Sequence, residues 1–417
     1  MTTSPARSPQ ITGHRIAVVD CPEKAISHPE VKETTTAQFS VDSKTELKIE
    51  LKKELKTGLK TGPKTERKTA YAIDPLVDRR WEELVQTHLR ASVFHSSAWL
   101  KALSRTYQYE PIAYTTSPAG QKLENALVLC RIQSWLTGRR LVSLPFSDHC
   151  EPLVDAREDL DAIMAALEQD SRERDLRYIE LRPLQPIEIE TSLRHSTVPY
   201  TFHQLDLAPG LPTLFANCHK NSTQRKILRA EREGLRYREG SSEEFVEHFY
   251  GLHTITRRRH RRPPQPRKWF VNLIDCFGDA LKIRVAFKVN RPVAAVITIR
   301  HKGTMVYKYG GSDPRFNHLG SMHLLLWAAI EEAKTANLQS FDFGRTDADQ
   351  KGLITFKKRW GSTQSDMVYS RYALSEDVAH MFEASGSWKS RVAKHLLSRM
   401  QPGILSVVGR ALYRHVG

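Results

Sequence analysis

Three strand-like runs stand in a row, LKIRVAFKV, PVAAVITIRH and TMVYKYGGS, joined by the short turns VNRP and HKG. Turns this short join antiparallel neighbours, so the three runs form a meander, and nothing else in the chain limits the fold so tightly. An amphipathic helix, SMHLLLWAAIEEAKTAN, comes next, then a short strand, SFDFG. A further helix, LITFKKRWG, and a last strand, DMVYSRYAL, close the unit. Three helical segments precede the meander: LPTLFANCHKNSTQRKILRAEREG, SEEFVEHFYGLHTITRRRH and RKWFVNLIDCFG. Such an order makes a mixed α/β unit whose sheet is covered by helices.

The span before it reads in a similar way. DPLVDRRWEELVQTH and SSAWLKALSRTY carry apolar residues at helical offsets behind Asp or Ser starts. EPIAYTT, ALVLCRIQSWL and RRLVSLPF are strand-like, followed by the helix DLDAIMAALEQDSRERD and the strand RYIELRP. The two spans share their order loosely, which suggests duplication. The expected architecture is α/β (α+β), with two tandem halves at residues 70–203 and 204–375. At 417 residues the chain has room for two cores.

The flanks differ in character. Residues 1–69 include the Lys/Thr-rich run KTELKIELKKELKTGLKTGPKTERKT, without an aromatic residue. It cannot bury enough surface to offset its ordering entropy, so a disordered, solvated tail is expected. Residues 376–417 interleave Lys389, Arg391, Lys394, Arg399, Arg410 and Arg414 with apolar residues such as Trp388, Leu396, Ile404 and Tyr413. Pro402-Gly403 splits them into two short basic amphipathic helices. Their apolar faces either lie on an anionic membrane or pack on the protein's own core.

A net charge of +16 favours anionic partners without choosing among nucleic acid, phosphate-bearing substrates and a membrane face. A nucleic-acid-binding regulator would need a reader such as a helix-turn-helix, which the sequence does not show. The five cysteines are scattered, with no CxxC pair or Cys/His cluster, so free thiols and no metal are expected. No secretory signal is visible, and no apolar run approaches the roughly 20 residues that span a bilayer. The chain is read as cytoplasmic, with peripheral contact at the inner membrane face left open.

Candidate chemistry concentrates between residues 307 and 360. Gly310 and Gly311 permit close backbone approach, and Gly320-Ser321 can cap the following helix. A loop that aims backbone N–H groups from a helix start can hold a phosphate or carboxylate. Asp342, Arg345, Asp347 and Asp349 follow within eight positions, and then Lys357, Lys358, Arg359 and Trp360. One of these cations can neutralise an oxyanion or a phosphate, while Lys358 and Arg359 read as a solvated helix face. Upstream, Lys220, Arg225, Lys226, Arg229 and Arg232 are followed by RRRHRR at 257–262. Arg225, Arg229 and Arg232 share one helix face. Such a set can clamp the phosphates of tRNA, of CoA or of a lipid-linked pyrophosphate sugar.

The segments LPFSDHCEPL (144–153), CHKNSTQRKILRAEREGL (218–235), KYGGSDPRFNHLGSMHLLLWAAIEEA, FDFGR and TFKKRWGS occur in this order. Together, over about residues 70–375, they resemble the Fem family of peptidoglycan bridge-forming aminoacyltransferases and its relatives in cellulose and exopolysaccharide gene clusters. These are tandem proteins of the GNAT (acetyltransferase) fold. The resemblance implies acyl transfer to an amine or hydroxyl of a cell-envelope or exopolysaccharide precursor, with no metal and no covalent enzyme intermediate. The donor implied is acyl-CoA or aminoacyl-tRNA.

The family's Phe-Lys pair falls on Phe356-Lys357, so Lys357 would steady the charge on the attacked carbonyl. The loop carrying Ser147, Asp148 and His149 would help to bind the acceptor, with Asp148 and His149 as candidate bases. The GNAT pyrophosphate loop, Gln/Arg-x-x-Gly-x-Gly/Ala, is only partly matched at residues 317–322, which keep Gly320 but carry Asn317 and Met322. The long helical arm of some bridge enzymes has no counterpart, so both donors stay open. A catalytically inactive tandem fold acting as a scaffold is the alternative, and retention of Gly310, Gly311, Asp342 and Lys357 argues against it.

Overall fold

One hydrogen-bonded sheet of twelve strands runs through the residues that the computed structural model describes, 68–375 and 413–415. Most of the Lys/Thr-rich run and most of the C-terminal basic segment lie outside them. In chain order come β1 (Tyr71–Ile73), α1 (Arg80–Thr87), α2 (Ser97–Tyr107), β2 (Glu110–Thr115), β3 (Leu127–Ser134), β4 (Gly138–Val142), α3 (Arg157–Glu173) and β5 (Tyr178–Leu181). Then follow β6 (Arg194–Asp206), α4 (Leu211–Asn217), α5 (Arg225–Arg232), β7 (Arg236–Gly240), α6 (Glu243–Arg259) and α7 (Arg267–Phe277). The meander is β8 (Leu281–Lys288), β9 (Arg291–His301) and β10 (Thr304–Ser312). After it come α8 (Ser321–Thr335), β11 (Ser340–Asp347), α9 (Lys351–Lys358) and β12 (Thr363–Ala373).

The strands are ordered β1-β2-β3-β4-β5-β12-β6-β11-β10-β9-β8-β7. β4 with β5 and β10 with β11 are parallel, and the other pairs are antiparallel. The last strand among the described residues, β12, thus lies between β5 and β6. The sequence boundary at 203/204 falls inside β6, a strand that periodicity does not reveal. Its run RHSTVPYTFHQLD is largely polar and holds Pro199, which argues against a central strand. The strand forms because β12 pairs with it from Arg194 to Gln204 while β11 pairs only from Tyr200 onward. Pro199 therefore sits just past the end of one ladder, where its missing N–H is not needed.

LPTLFANCHKNSTQRKILRAEREG reads as one helix but forms two. The chain turns extended at Cys218, and the His219 N–H donates to the Arg359 carbonyl at 2.8 Å. Thr223 Oγ1 donates to the same carbonyl at 2.9 Å, tying the break to the end of α9. Apolar faces settle the layers. Phe249 of α6, Trp269 of α7 and Trp99 of α2 pack with Ile283 and Ile297 on one face of the meander. On the other face Ile227 of α5 and Leu326 of α8 pack with Val296 and Phe341. A third cluster, with Ile163 and Leu167 of α3, covers β3 and β5.

Candidate active site

β10 and β11 are paired at only three levels: Thr304 with Ser340, Met305 with Phe341, and Val306 with Asp342. Beyond these each strand is irregular, β10 between Tyr307 and Tyr309 and β11 between Asp342 and Gly344. A bulge bends its strand and adds twist, and two at the same level separate the neighbours. β10 continues beside β9, β11 continues beside β6, and a V opens between them. Gly344 stands at this point with φ of +72°, a region that favours glycine.

A loop of residues 144–150 from the first half enters the V. Asp148 packs on Gly344, where a Cβ would stand 3.1 Å from the Asp148 carboxyl carbon. Lys308 of β10 donates to Asp148 Oδ2 at 2.6 Å, with Phe94, Tyr309 and Trp99 rings 5.1–5.5 Å from its ammonium. Burial lowers the Lys308 pKa. Burial alone would raise that of Asp148, but Lys308 beside it holds the carboxyl below its ordinary range. The loop is braced by Tyr369 of β12, whose hydroxyl donates to the Asp148 carbonyl at 2.8 Å, and by Arg182, which donates to the Leu144 carbonyl at 2.7 Å.

The next residue, His149, lies with Nε2 3.1 Å from Asp342 Oδ2. Its ring is held edge-to-face by Phe94 and Phe202. The other carboxylate oxygen of Asp342 accepts the Gly344 N–H at 2.5 Å. Lys357, near the end of α9, is 3% exposed. Its ammonium donates to the Gly344 carbonyl at 2.8 Å and to the Arg345 carbonyl at 2.9 Å. Burial pulls its pKa down to about 8, against the opposing pull of Asp148 and Asp342. An ammonium has three hydrogens, so one remains for a further acceptor. Arg345 stacks over Tyr200 at 4.2 Å and pairs with Asp347.

Asp148, His149, Asp342, Arg345 and Lys357 are thus brought into one interlocked set. Lys308 belongs to it and was missed by sequence reasoning. The available signal was a lysine between two tyrosines inside an otherwise apolar strand.

Other sequence candidates lie elsewhere or serve packing. A Cβ on Gly311 would stand 2.6 Å from the His253 backbone nitrogen, and one on Gly310 2.1 Å from the Tyr307 hydroxyl, so both glycines sit under close neighbours. Ser147 Oγ braces its own loop by donating to the Leu144 carbonyl. Phe356 packs edge-on to His323. Gly320, with φ of +85°, precedes α8, and a Cβ there would meet the Lys226 carbonyl at 2.1 Å. Ser321 is buried with its hydroxyl unpartnered. Gly320 is therefore covered by α5, and a phosphate approaching that residue meets a carbonyl oxygen, while Asn317 and His318 are exposed.

Arg225 and Arg229 instead line an open, mostly basic pocket of about 510 Å³ with Lys226, Arg232, His318 and Glu233, the last 3.5 Å from Arg229. Lys220 begins the turn before α5. Lys358 and Arg359 are exposed, as expected. Of the arginine run, Arg257 is engaged with Tyr413 and Pro263, and Arg262 with Asp347. Tyr413 is itself buried against Phe146, so this part of the C-terminal segment packs on the protein. Among the described residues no group of three or more His, Cys, Asp or Glu side chains is placed to hold a metal. No described helix is long and apolar enough to cross a membrane.

Residues 218–358 match the family model described as an acetyltransferase (GNAT) domain, a span that includes the V and Lys357. The fold is GNAT-like. Among solved structures, a crystal structure of FemX is similar over 75% of this chain and 99% of that one, at 14% identity and a TM-score of 0.58. A tandem GNAT protein from the clavulanic acid biosynthesis pathway covers 73% of this chain with 98% of its own, at 11% identity and a TM-score of 0.46. The C-terminal domain of a putative lysylphosphatidylglycerol synthetase from Agrobacterium fabrum covers 73% with 95% of its own, at 14% identity and a TM-score of 0.48. No curated protein matches the sequence.

Proposed function

We propose that the chain is an acyltransferase that moves an acyl or aminoacyl group onto an amine or hydroxyl of a cell-envelope or exopolysaccharide precursor. The observation that carries this reading is Lys357, a buried ammonium fixed by two backbone carbonyls beside the V, with one hydrogen left to donate. When an acceptor attacks a donor carbonyl, negative charge grows on the carbonyl oxygen. A preorganised cation in a water-poor site stabilises that charge far better than water does. With a pKa of about 8, Lys357 is largely protonated at neutral pH. Asp148 and Asp342 balance the neighbouring cations, so the site binds a neutral acyl carbonyl without an unpaired excess of charge. Collapse of the oxyanion then expels the donor's thiolate or alkoxide.

The basic pocket on α5 supports a phosphate-bearing donor, which fits both acyl-CoA and aminoacyl-tRNA. The Lys226 carbonyl over Gly320 disfavours a pyrophosphate held against that glycine. Both donors are cytoplasmic molecules, and the chain is read as acting there. The test is Lys357→Ala, assayed with acyl-CoA and with charged tRNA. Transfer should fall by about 10²–10³-fold, the range seen when one oxyanion donor is removed, with circular dichroism unchanged. Wild-type turnover by the variant would remove Lys357 from the mechanism. Calorimetric titration separates the donors, and binding of neither would overturn the acyltransferase reading.

A further inference from the structure

The hairpin that joins β3 to β4 carries Trp135 and Leu136 at its tip, 87% and 51% exposed. Single apolar side chains on a surface are ordinary, but an indole and an isobutyl group side by side at a tip hold a contiguous apolar area in water. Ser134 Oγ accepts the N–H groups of Leu136 and Thr137 at 3.1 and 3.0 Å, which closes the turn with both apolar side chains outside it.

Residues 413–415 join this tip to the arginine run at 257–262. The His415 carbonyl accepts from Thr137 Oγ1 at 2.8 Å and from Arg140 at 2.7 Å. Two positions earlier, the Tyr413 hydroxyl accepts from Arg257 and donates to the Pro263 carbonyl at 2.9 Å. The tip, Arg414 and the run therefore share one stretch of surface. Arg259, Arg261 and Arg414 are exposed and Arg258 is half-buried, and among the described residues none of them is in an ion pair. The turn after α3 also reaches the tip and brings Asp175, offset there by Arg139 and Arg177. The segment that leads into Tyr413 has no acid after Glu383.

This surface adjoins the V. Thr256, just before the run, accepts the Ser312 N–H at the end of β10 at 2.9 Å. Arg262, at the end of the run, pairs with Asp347 at the end of β11 at 3.3 Å. The run thus crosses the open end of the V from one strand to the other.

Cations without acids call for an anionic partner. A nucleic acid supplies phosphates but leaves Leu136 in water. An anionic bilayer takes both parts of the surface. Its phosphates meet the arginines, and a Trp side chain settles at headgroup depth with its ring in apolar surroundings and its N–H wet. Tyr413 is buried against the protein, so the contact is made by the hairpin and the arginine run rather than by that end of the basic segment.

We infer that Trp135, Leu136, Arg414 and the 257–262 run form a docking face for an anionic membrane, and that docking turns the open end of the V toward the lipid. The inference does not depend on the chemistry assigned to Lys357.

The test sediments the full chain with vesicles of phosphatidylcholine alone and with vesicles that also contain phosphatidylglycerol, with tRNA as the alternative polyanion. The chain should bind the anionic vesicles only, and less as salt rises. Trp135→Ser with Leu136→Ser should weaken binding about tenfold, the effect of a large apolar side chain that no longer leaves water. Arg258→Ser with Arg259→Ser and Arg261→Ser should weaken it about a hundredfold. Trp135→Phe, and lysine in place of the three arginines, should each keep most of the binding, which separates loss of the contact from loss of the fold. Binding to neither vesicle, equal binding to both, or wild-type binding by either serine variant would overturn the assignment. So would binding to tRNA that needs Trp135 while the vesicles stay bare.

Discussion

Lys357→Met replaces a buried ammonium with an apolar side chain of similar length, and its effect on stability should depend on pH in a defined way. Burial lowers the Lys357 pKa from 10.5 to about 8, which corresponds to about 3 kcal/mol. Below pH 8 the folded and unfolded chains both hold the proton, and folding carries the whole cost of burying the charge. Between pH 8 and 10.5 only the unfolded chain holds it. The unfolding free energy then rises with pH, by about 1.4 kcal/mol per unit. Above 10.5 both states are neutral and the rise stops. The variant lacks this group, so the stability of wild type relative to Lys357→Met should climb by about 3 kcal/mol between pH 7 and pH 10.5. Titration of groups remote from Lys357 cancels in the difference, whereas that of its electrostatic neighbour Lys308 does not. Urea unfolding followed by tryptophan fluorescence at unit steps of pH measures it. A flat difference, or one that falls as pH rises, would show that Lys357 is not a buried ammonium with a depressed pKa.

Three further outcomes follow from the same geometry. Lys308→Met leaves the Asp148 carboxylate without its cation and should cost about 3–5 kcal/mol in urea unfolding, whereas Lys308→Met with Asp148→Leu should recover most of that. Gly311→Ala drives a methyl to within 2.6 Å of the α6 backbone, which cannot swing aside as a side chain would; a loss of about 1–3 kcal/mol and a lower Tm are expected, and an unchanged Tm would refute the close contact. Arg225→Glu with Arg229→Glu should weaken donor binding at least tenfold and flatten its salt dependence, and unaltered calorimetry would move the donor phosphates away from α5.

Much of the second half was legible because its signals are local. The meander, α8 and α9 follow from alternation, short turns and helical spacing within single segments. β6 was not legible, since its polar run and Pro199 hide a strand whose stability comes from partners on both sides. The resemblance pointed to Asp148, His149, Asp342 and Lys357, but not to how they meet. His149 and Asp342 are 193 residues apart and Lys308 lies 160 from Asp148, distances over which periodicity carries no information. Gly310, Gly311 and Gly320 were visible as glycines, yet no sequence pattern distinguishes a glycine that admits a phosphate from one that admits a neighbouring helix. The structure puts α6 and α5 against Gly311 and Gly320.

The placement of β12 sets an order of assembly. One edge of β5 and the long edge of β6 stay unpaired until the chain's last described strand has been made, so neither half can close its sheet while the ribosome is still short of it. The Asp148 loop waits on the same event, because the Tyr369 hydroxyl that holds its backbone arrives with β12. A chain ending before residue 363 should therefore be cut by protease at residues 144–150 and should self-associate through its bare strand edges. Resistance to cutting, in a monomer, would show that the loop is secured without β12. The candidate centre is thus assembled by the last described strand rather than by either half alone, which makes late synthesis, not early domain folding, the step that brings it into being.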